Sequence, residues 1–137
     1  MSLFNIFDIA GSAMTAQSVR MNVTASNMAN ADSVSSSTGN TYRARHPIFE
    51  TVYADAMDST LSSGVRVAGI VESPAQLRQE YQPAHPQADS EGYVYYPNVN
   101  PIEEMTNMIS ASRSYQNNIE IINASKQMLL RTLSIGQ

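Results

Sequence analysis

Two long stretches with a helical grammar flank a middle stretch that lacks one. Between residues 3 and 31, apolar or small residues recur at Phe7, Ala10, Met14, Gln17, Met21, Thr24, Met28 and Ala31. Steps of three and four put these positions on one stripe, the seam by which a helix packs along another. Ser2 or Asn5 can cap the start, and Asn27, Asn30 and Asp32 begin to break the helix at its end. Gln17 and Thr24 are polar members of the seam, which favours a specific pairing over an indifferent greasy one.

A second helix is predicted over 98–135. Asn98 or Asn100 serves as cap, Pro101 occupies the first turn, and Glu103 and Glu104 follow where the helix dipole favours acids. Two stripes run side by side along it. One passes through Met105, Ile109, Ser112, Gln116, Ile119, Asn123, Lys126, Leu130 and Leu133. The other passes through Met108, Ser112, Tyr115, Ile119, Ile122, Lys126, Leu129 and Leu133. Together they make a face too wide for one partner. Residues 3–31 can cover one side of it, and the remainder calls for another chain. Gly136 is a natural stop.

The middle reads differently. Ser33–Asn40 is serine-rich and predicts a flexible loop. A short helix is expected over Ile48–Leu61, after Pro47. Val65–Val71 alternates as a strand does, with Val65, Val67 and Gly69 on one face, and Gly92–Tyr96 is a second strand candidate. The expected fold is mainly α. Long N- and C-terminal helices (1–33 with 98–137) form a coiled-coil pair, and 34–97 form a small β-containing middle module.

Composition sharpens this. Only 15% of residues are charged, against about a quarter in an average protein. Uncharged Ser, Asn, Thr and Gln fill the difference and suit a surface that is covered by neighbours. The net charge is −4, and residues 32–100 carry all of the excess, with eight acids against four arginines. Both predicted helices are electrically neutral and can crowd together without repulsion.

No cluster of Lys or Arg supplies the basic footprint that nucleic acid requires. The absence of cysteine excludes disulfides, zinc–thiolate sites and a thiol nucleophile. No apolar run approaches the roughly 20 residues of a membrane span, and the start lacks the basic and apolar regions of a cleaved secretory signal. Neither membrane insertion nor a cleaved signal peptide is expected.

Candidate chemistry is thin. His46 and His85 are the only histidines, and His85, Asp89 and Glu91 match no metal-ligand spacing. His85 is better read as part of a rigid turn between Pro83 and Pro86. There is no glycine-rich phosphate loop and no nucleophile elbow, so neither an enzyme nor a cofactor is expected.

Ser26-Asn27-Met28-Ala29-Asn30-Ala31 at the end of the first helix, with Ala16-Gln17-Ser18-Val19-Arg20 upstream, resembles the signature of flagellar axial proteins. The C-terminal half is similar to the proximal rod subunits of that family. The similarity runs through His85-Pro86-Gln87-Ala88-Asp89, Glu91-Gly92-Tyr93-Val94 and Pro97-Asn98-Val99-Asn100. It continues through Glu104-Met105-Thr106-Asn107-Met108-Ile109 and Ala111-Ser112-Arg113-Ser114-Tyr115-Gln116-Asn117-Asn118. Ser26 stands where relatives often carry another Asn.

The resemblance implies a structural subunit of the flagellar basal-body rod, exported by the flagellar type III apparatus without a cleaved signal. Its location would be the rod in the periplasm, where it would transmit torque. Its partners would be copies of itself and other rod proteins. Its terminal segments would be disordered in the monomer and fold on joining the tube. The residues expected to carry packing are Met14, Met21, Asn27, Met28 and Asn30 in the first helix. In the second they are Met105, Ile109, Tyr115, Ile119, Ile122, Leu129 and Leu133. The competing reading is a soluble coiled-coil adaptor or export-associated binding protein, which would form a discrete folded dimer.

Overall fold

A computed structural model of the chain describes residues 3–52 and 64–135. Helix α1 spans Leu3–Ala29 and helix α2 spans Pro101–Ile135, about 40 and 52 Å long at 1.5 Å per residue. Between them lie two antiparallel strand pairs, β1 (Arg45–Val52) with β2 (Gly64–Glu72), and β3 (Arg78–Tyr81) with β4 (Tyr93–Tyr96). The fold is thus two long terminal helices around a small β middle region.

Local sequence accounts for the boundaries of α2. Pro101 fills the first turn, where no amide is missed, and the Asn100 side chain accepts the Ile102 N–H at 3.1 Å. Asn98 is not the cap. Its Oδ1 accepts the Ala44 N–H at 2.8 Å and its Nδ2 donates to the Ala75 carbonyl at 2.9 Å, tying the entry of α2 to two loops. Asn5 lies inside α1 and Ser2 outside the described residues.

α1 packs along α2 on one side and against β1 and β2 on the other. The helices are antiparallel. Arg20 donates to Asn107 Oδ1 at 2.9 Å, and Thr24 lies level with Glu104 across one small cavity. On the strand side, Val65, Val67 and Gly69 are half-buried while Arg66 and Ala68 are exposed, the alternation expected of this strand. Ser12 stitches helix to strand by accepting the Val65 N–H through its Oγ.

Two expectations for the middle are corrected. Residues 48–52, expected to begin a short helix, belong to strand β1; the rest of that stretch lies outside the described residues. Ile48, Phe49, Thr51 and Val52 are β-branched or aromatic, and pairing with β2 overrides the weak helical pattern. The register slips between Ile48 and Phe49, where one extra residue on β2 makes a bulge. Ser33–Asn40, expected to be a flexible loop, carries a backbone bridge: Ser35 and Tyr95 exchange N–H···O bonds of 3.1 and 3.0 Å.

Gly92 turns the chain into β4 with φ of 85°, and an added Cβ would lie 2.9 Å from the Tyr81 ring. Tyr81 stacks edge-on against Tyr93 with centroids 5.2 Å apart, so moving the ring aside gives up that contact, and the positive φ strains any side chain at Gly92. Gly92→Ala is therefore expected to destabilise the β3–β4 unit by about 2 kcal/mol. A thermal melt followed by tyrosine near-ultraviolet dichroism measures this.

Candidate assembly interface

The buried side of α2 is Glu104, Ala111 and Ser125, at 4, 0 and 2% exposure. Half-buried Met108, Tyr115, Asn118, Ile122 and Leu129 complete the row. Steps of four and three run through all eight positions, and this seam faces α1. It lies one residue away from the first stripe read in the sequence.

That first stripe points outward. Met105 and Ile109 are just over half exposed, Leu130 and Leu133 more so, and Ile119 is 38% exposed. The two rows are offset by one residue, which is 100° of helix rotation. α2 therefore carries one seam filled by α1 and a second, equally regular one that no described part of the chain covers. Beyond Ser125, opposite the start of α1, every residue through Ser134 except Leu129 is exposed. About three turns of α2 thus project past its partner.

The expected packing residues divide between these environments. Tyr115 and Ile122 sit in the seam against α1 and Leu129 continues that row on the projecting end, whereas Met105, Ile109, Ile119 and Leu133 lie on the open one. Met14 and Met21 are half-buried, and Met28 is 36% exposed. Asn27 is buried at 1%, and its contacts are within the chain. Its Nδ2 donates to the Arg45 carbonyl at 2.8 Å, while its Oδ1 accepts the Arg45 N–H and the Tyr42 hydroxyl at 2.9 Å each. Asn30 closes α1 by donating to the Ser26 carbonyl at 2.8 Å.

The seam against α1 carries a polar cost. The side-chain oxygen of Gln17 is buried and has no hydrogen-bond partner among the described residues. Sequence reading missed Glu104, Ala111 and Ser125 because none is a large apolar residue; the alternating spacing alone marks them.

The middle region is organised by Asp89. Its Oδ1 accepts the Tyr93 and Glu91 N–H groups at 2.8 and 2.9 Å, and the Tyr95 hydroxyl donates to Oδ2. The Tyr93 amide leads in holding its carboxyl below the ordinary 3.8. Desolvation and the neighbouring Asp89 charge push the Tyr95 hydroxyl above 10.0. His85 serves its own turn, with Nδ1 accepting the Gln87 N–H at 3.1 Å.

Because the folded carboxyl is depressed, its contribution is present above 3.8 and is lost as pH falls towards the folded value. The β3–β4 unit is expected to hold its tyrosine dichroism from neutral pH down to about pH 5 and to weaken as pH falls below 3.8 towards the lower folded value. Asp89→Asn should remove much of that acid dependence.

Comparison with known proteins bears on this interface. Residues 7–35 match the model for flagella basal body rod proteins, and residues 90–135 match that for the C-terminal part of flagellar basal body rod FlgEFG proteins. The chain is 54% identical to the flagellar basal-body rod protein FlgC of Yersinia enterocolitica, over the full length of both. It is 53% identical to that of Salmonella typhimurium and 44% to one from Buchnera aphidicola, each again matched in full. The chain belongs to the flagellar basal-body rod proteins.

Family membership gives the signature residues a structural meaning. The N-terminal match takes in Asn27, whose clamp partner Arg45 lies beyond it, and the Asn30 closure of α1. The C-terminal match begins one residue past Asp89 and takes in Gly92 and all of α2 with both seams. The two matches thus cover most of α1 and all of α2.

Proposed function

We propose that this chain is a structural subunit of the bacterial flagellar basal-body rod, building a torque-bearing tube by helix packing. The open seam on α2 carries the reading. A row that exposes Met105, Ile109, Ile119, Leu130 and Leu133, with a projecting end, gains stability when neighbours cover it. Its partners are further copies of the chain and other rod proteins, and nothing in the arrangement calls for catalysis or a cofactor.

The finer reading follows from the same features. Residues 1–33 and 98–137 act together as a coiled-coil assembly domain, with 34–97 as a separate middle module. The terminal segments order fully when they join the growing tube, which prevents premature polymerisation. The subunit passes through the flagellar type III export apparatus with its N-terminal segment uncleaved and takes its place in the rod within the periplasm. That route predicts an intact N-terminus on rod-incorporated chains, which mass spectrometry of isolated basal bodies tests.

The test uses cells whose only copy carries an epitope in the exposed 38–40 turn. Copurification with basal bodies is expected, and loss of the gene should abolish motility. A discrete soluble dimer absent from basal bodies would overturn the reading.

A further inference from the structure

We propose that the open seam of α2 docks onto the outward face of α1 in a second copy of this chain, antiparallel and in one fixed register. The inference rests on the rod reading above and adds the partner surface and its alignment.

α1 has an outward row that makes no hydrogen bond to α2 or to the strands among the described residues, although Asp8 and Asn22 border the strand side. It passes through Asp8, Gly11, Thr15, Ser18, Asn22, Ala25 and Ala29, all exposed except half-buried Gly11 and Ser18. Every member is small or short, so another helix can approach closely. Gly11 points the same way. An added Cβ there would meet nothing within 4 Å among the described residues, so they give no reason for a residue that weakens a helix interior.

The open row of α2 has the opposite character and the same stepping. Aligned antiparallel, Met105 meets Ala29, Ile109 meets Ala25 and Lys126 meets Asp8. Between them, Ser112 and Gln116 meet Asn22 and Ser18. Met105 and Ile109 fall on alanines, Ile119 on Thr15 and Asn123 on Gly11, and the cation of one exposed row falls on the anion of the other. Shifting the alignment by one heptad separates Lys126 from Asp8 and places Ile109 against Ser18.

The two rows lie on different sides of one molecule, so the contact is between copies and is head-to-tail. α1 and α2 are antiparallel within a chain, and an antiparallel docking makes successive copies point the same way. Each added copy leaves the same open row for the next. A directional, open-ended array follows from side-chain pattern alone.

Cross-linking tests the register, because the chain has no cysteine of its own. Two single variants, Ala25→Cys and Ile109→Cys, are expressed together in a strain lacking the native gene, and isolated basal bodies are oxidised. A mixed disulfide dimer is expected at least about tenfold above the Ala25→Cys with Gln116→Cys control, whose partners sit two turns apart. Ala29→Cys with Met105→Cys is the second on-register pair. Asp8→Lys should reduce swimming, and adding Lys126→Asp should restore it. Basal bodies that contain the variants without an on-register cross-link overturn the alignment and leave the rod reading standing. Absence of the parent chain from basal bodies overturns both.

Discussion

Cells carrying Ile119→Asp are expected to be non-motile and to lack assembled rod, while the purified variant folds like its parent. Ile119 is 38% exposed in the free chain, on the open row of α2. An aspartate there remains hydrated, so the change in monomer stability should stay within about 0.5 kcal/mol. Once a neighbouring helix covers the row, the carboxylate is desolvated beside apolar groups and opposes assembly by several kcal/mol. Motility halos, basal-body yield and a dichroism melt of the purified chain give the three readings. Ile122→Asp is the contrasting variant. Ile122 lies in the seam against α1, so its free chain should unfold more easily. A swimming Ile119→Asp strain would sink the packing account.

Asn27→Ala should be the most damaging single change within the chain. It removes an acceptor from the Arg45 N–H and the Tyr42 hydroxyl and a donor from the Arg45 carbonyl, at a site 1% exposed. Each orphaned polar group costs on the order of 1–3 kcal/mol, so a loss of about 3 kcal/mol is expected. The damage is local in geometry and general in effect, because this clamp fixes where β1 leaves α1. A cation–π contact of Arg45 with Tyr42, 5.3 Å from the ring centroid, should loosen with it. Urea unfolding of the purified chain measures the loss. Asn27→Asp should be no milder, since it discards the donor and buries a charge. A variant within 1 kcal/mol of the parent would show that water replaces the clamp without penalty.

These cases show which parts of the fold were legible in the residues. The long helices were, because steps of three and four persist over many turns and Pro101, with Asn98 or Asn100 before it, brackets the start of α2. So was the width of α2's face. Strands β2 and β4 followed from alternation and tyrosines. Strand β1 was not, because Pro47 and the mixed pattern after it favour helix as readily as strand until β2 supplies hydrogen-bond partners. Strand β3, with Arg78, Gln79 and Glu80, has no apolar alternation to betray it and exists through pairing with β4.

Asn27 and Asn30 were singled out by resemblance as packing residues, but nothing local revealed what they hold. Asn27 reaches a backbone segment 18 positions away, and such a contact leaves no periodic trace. Asn98 reads locally as a helix cap and acts as a joint between loops for the same reason.

By itself the sequence determined that two neutral, heptad-stepped helices would form and that one of them has more packing surface than the other can cover. Helical periodicity is a property of neighbouring residues, so it survives without any knowledge of the fold. Only the tertiary structure decided which of α2's adjacent rows faces α1. The choice went to the row with buried Glu104, Ala111 and Ser125, leaving the row through Met105 and Ile109 open. The physical reason is distance: small residues let two backbones approach along their length. The bulkier row is left for a neighbour with a small-residue face of its own.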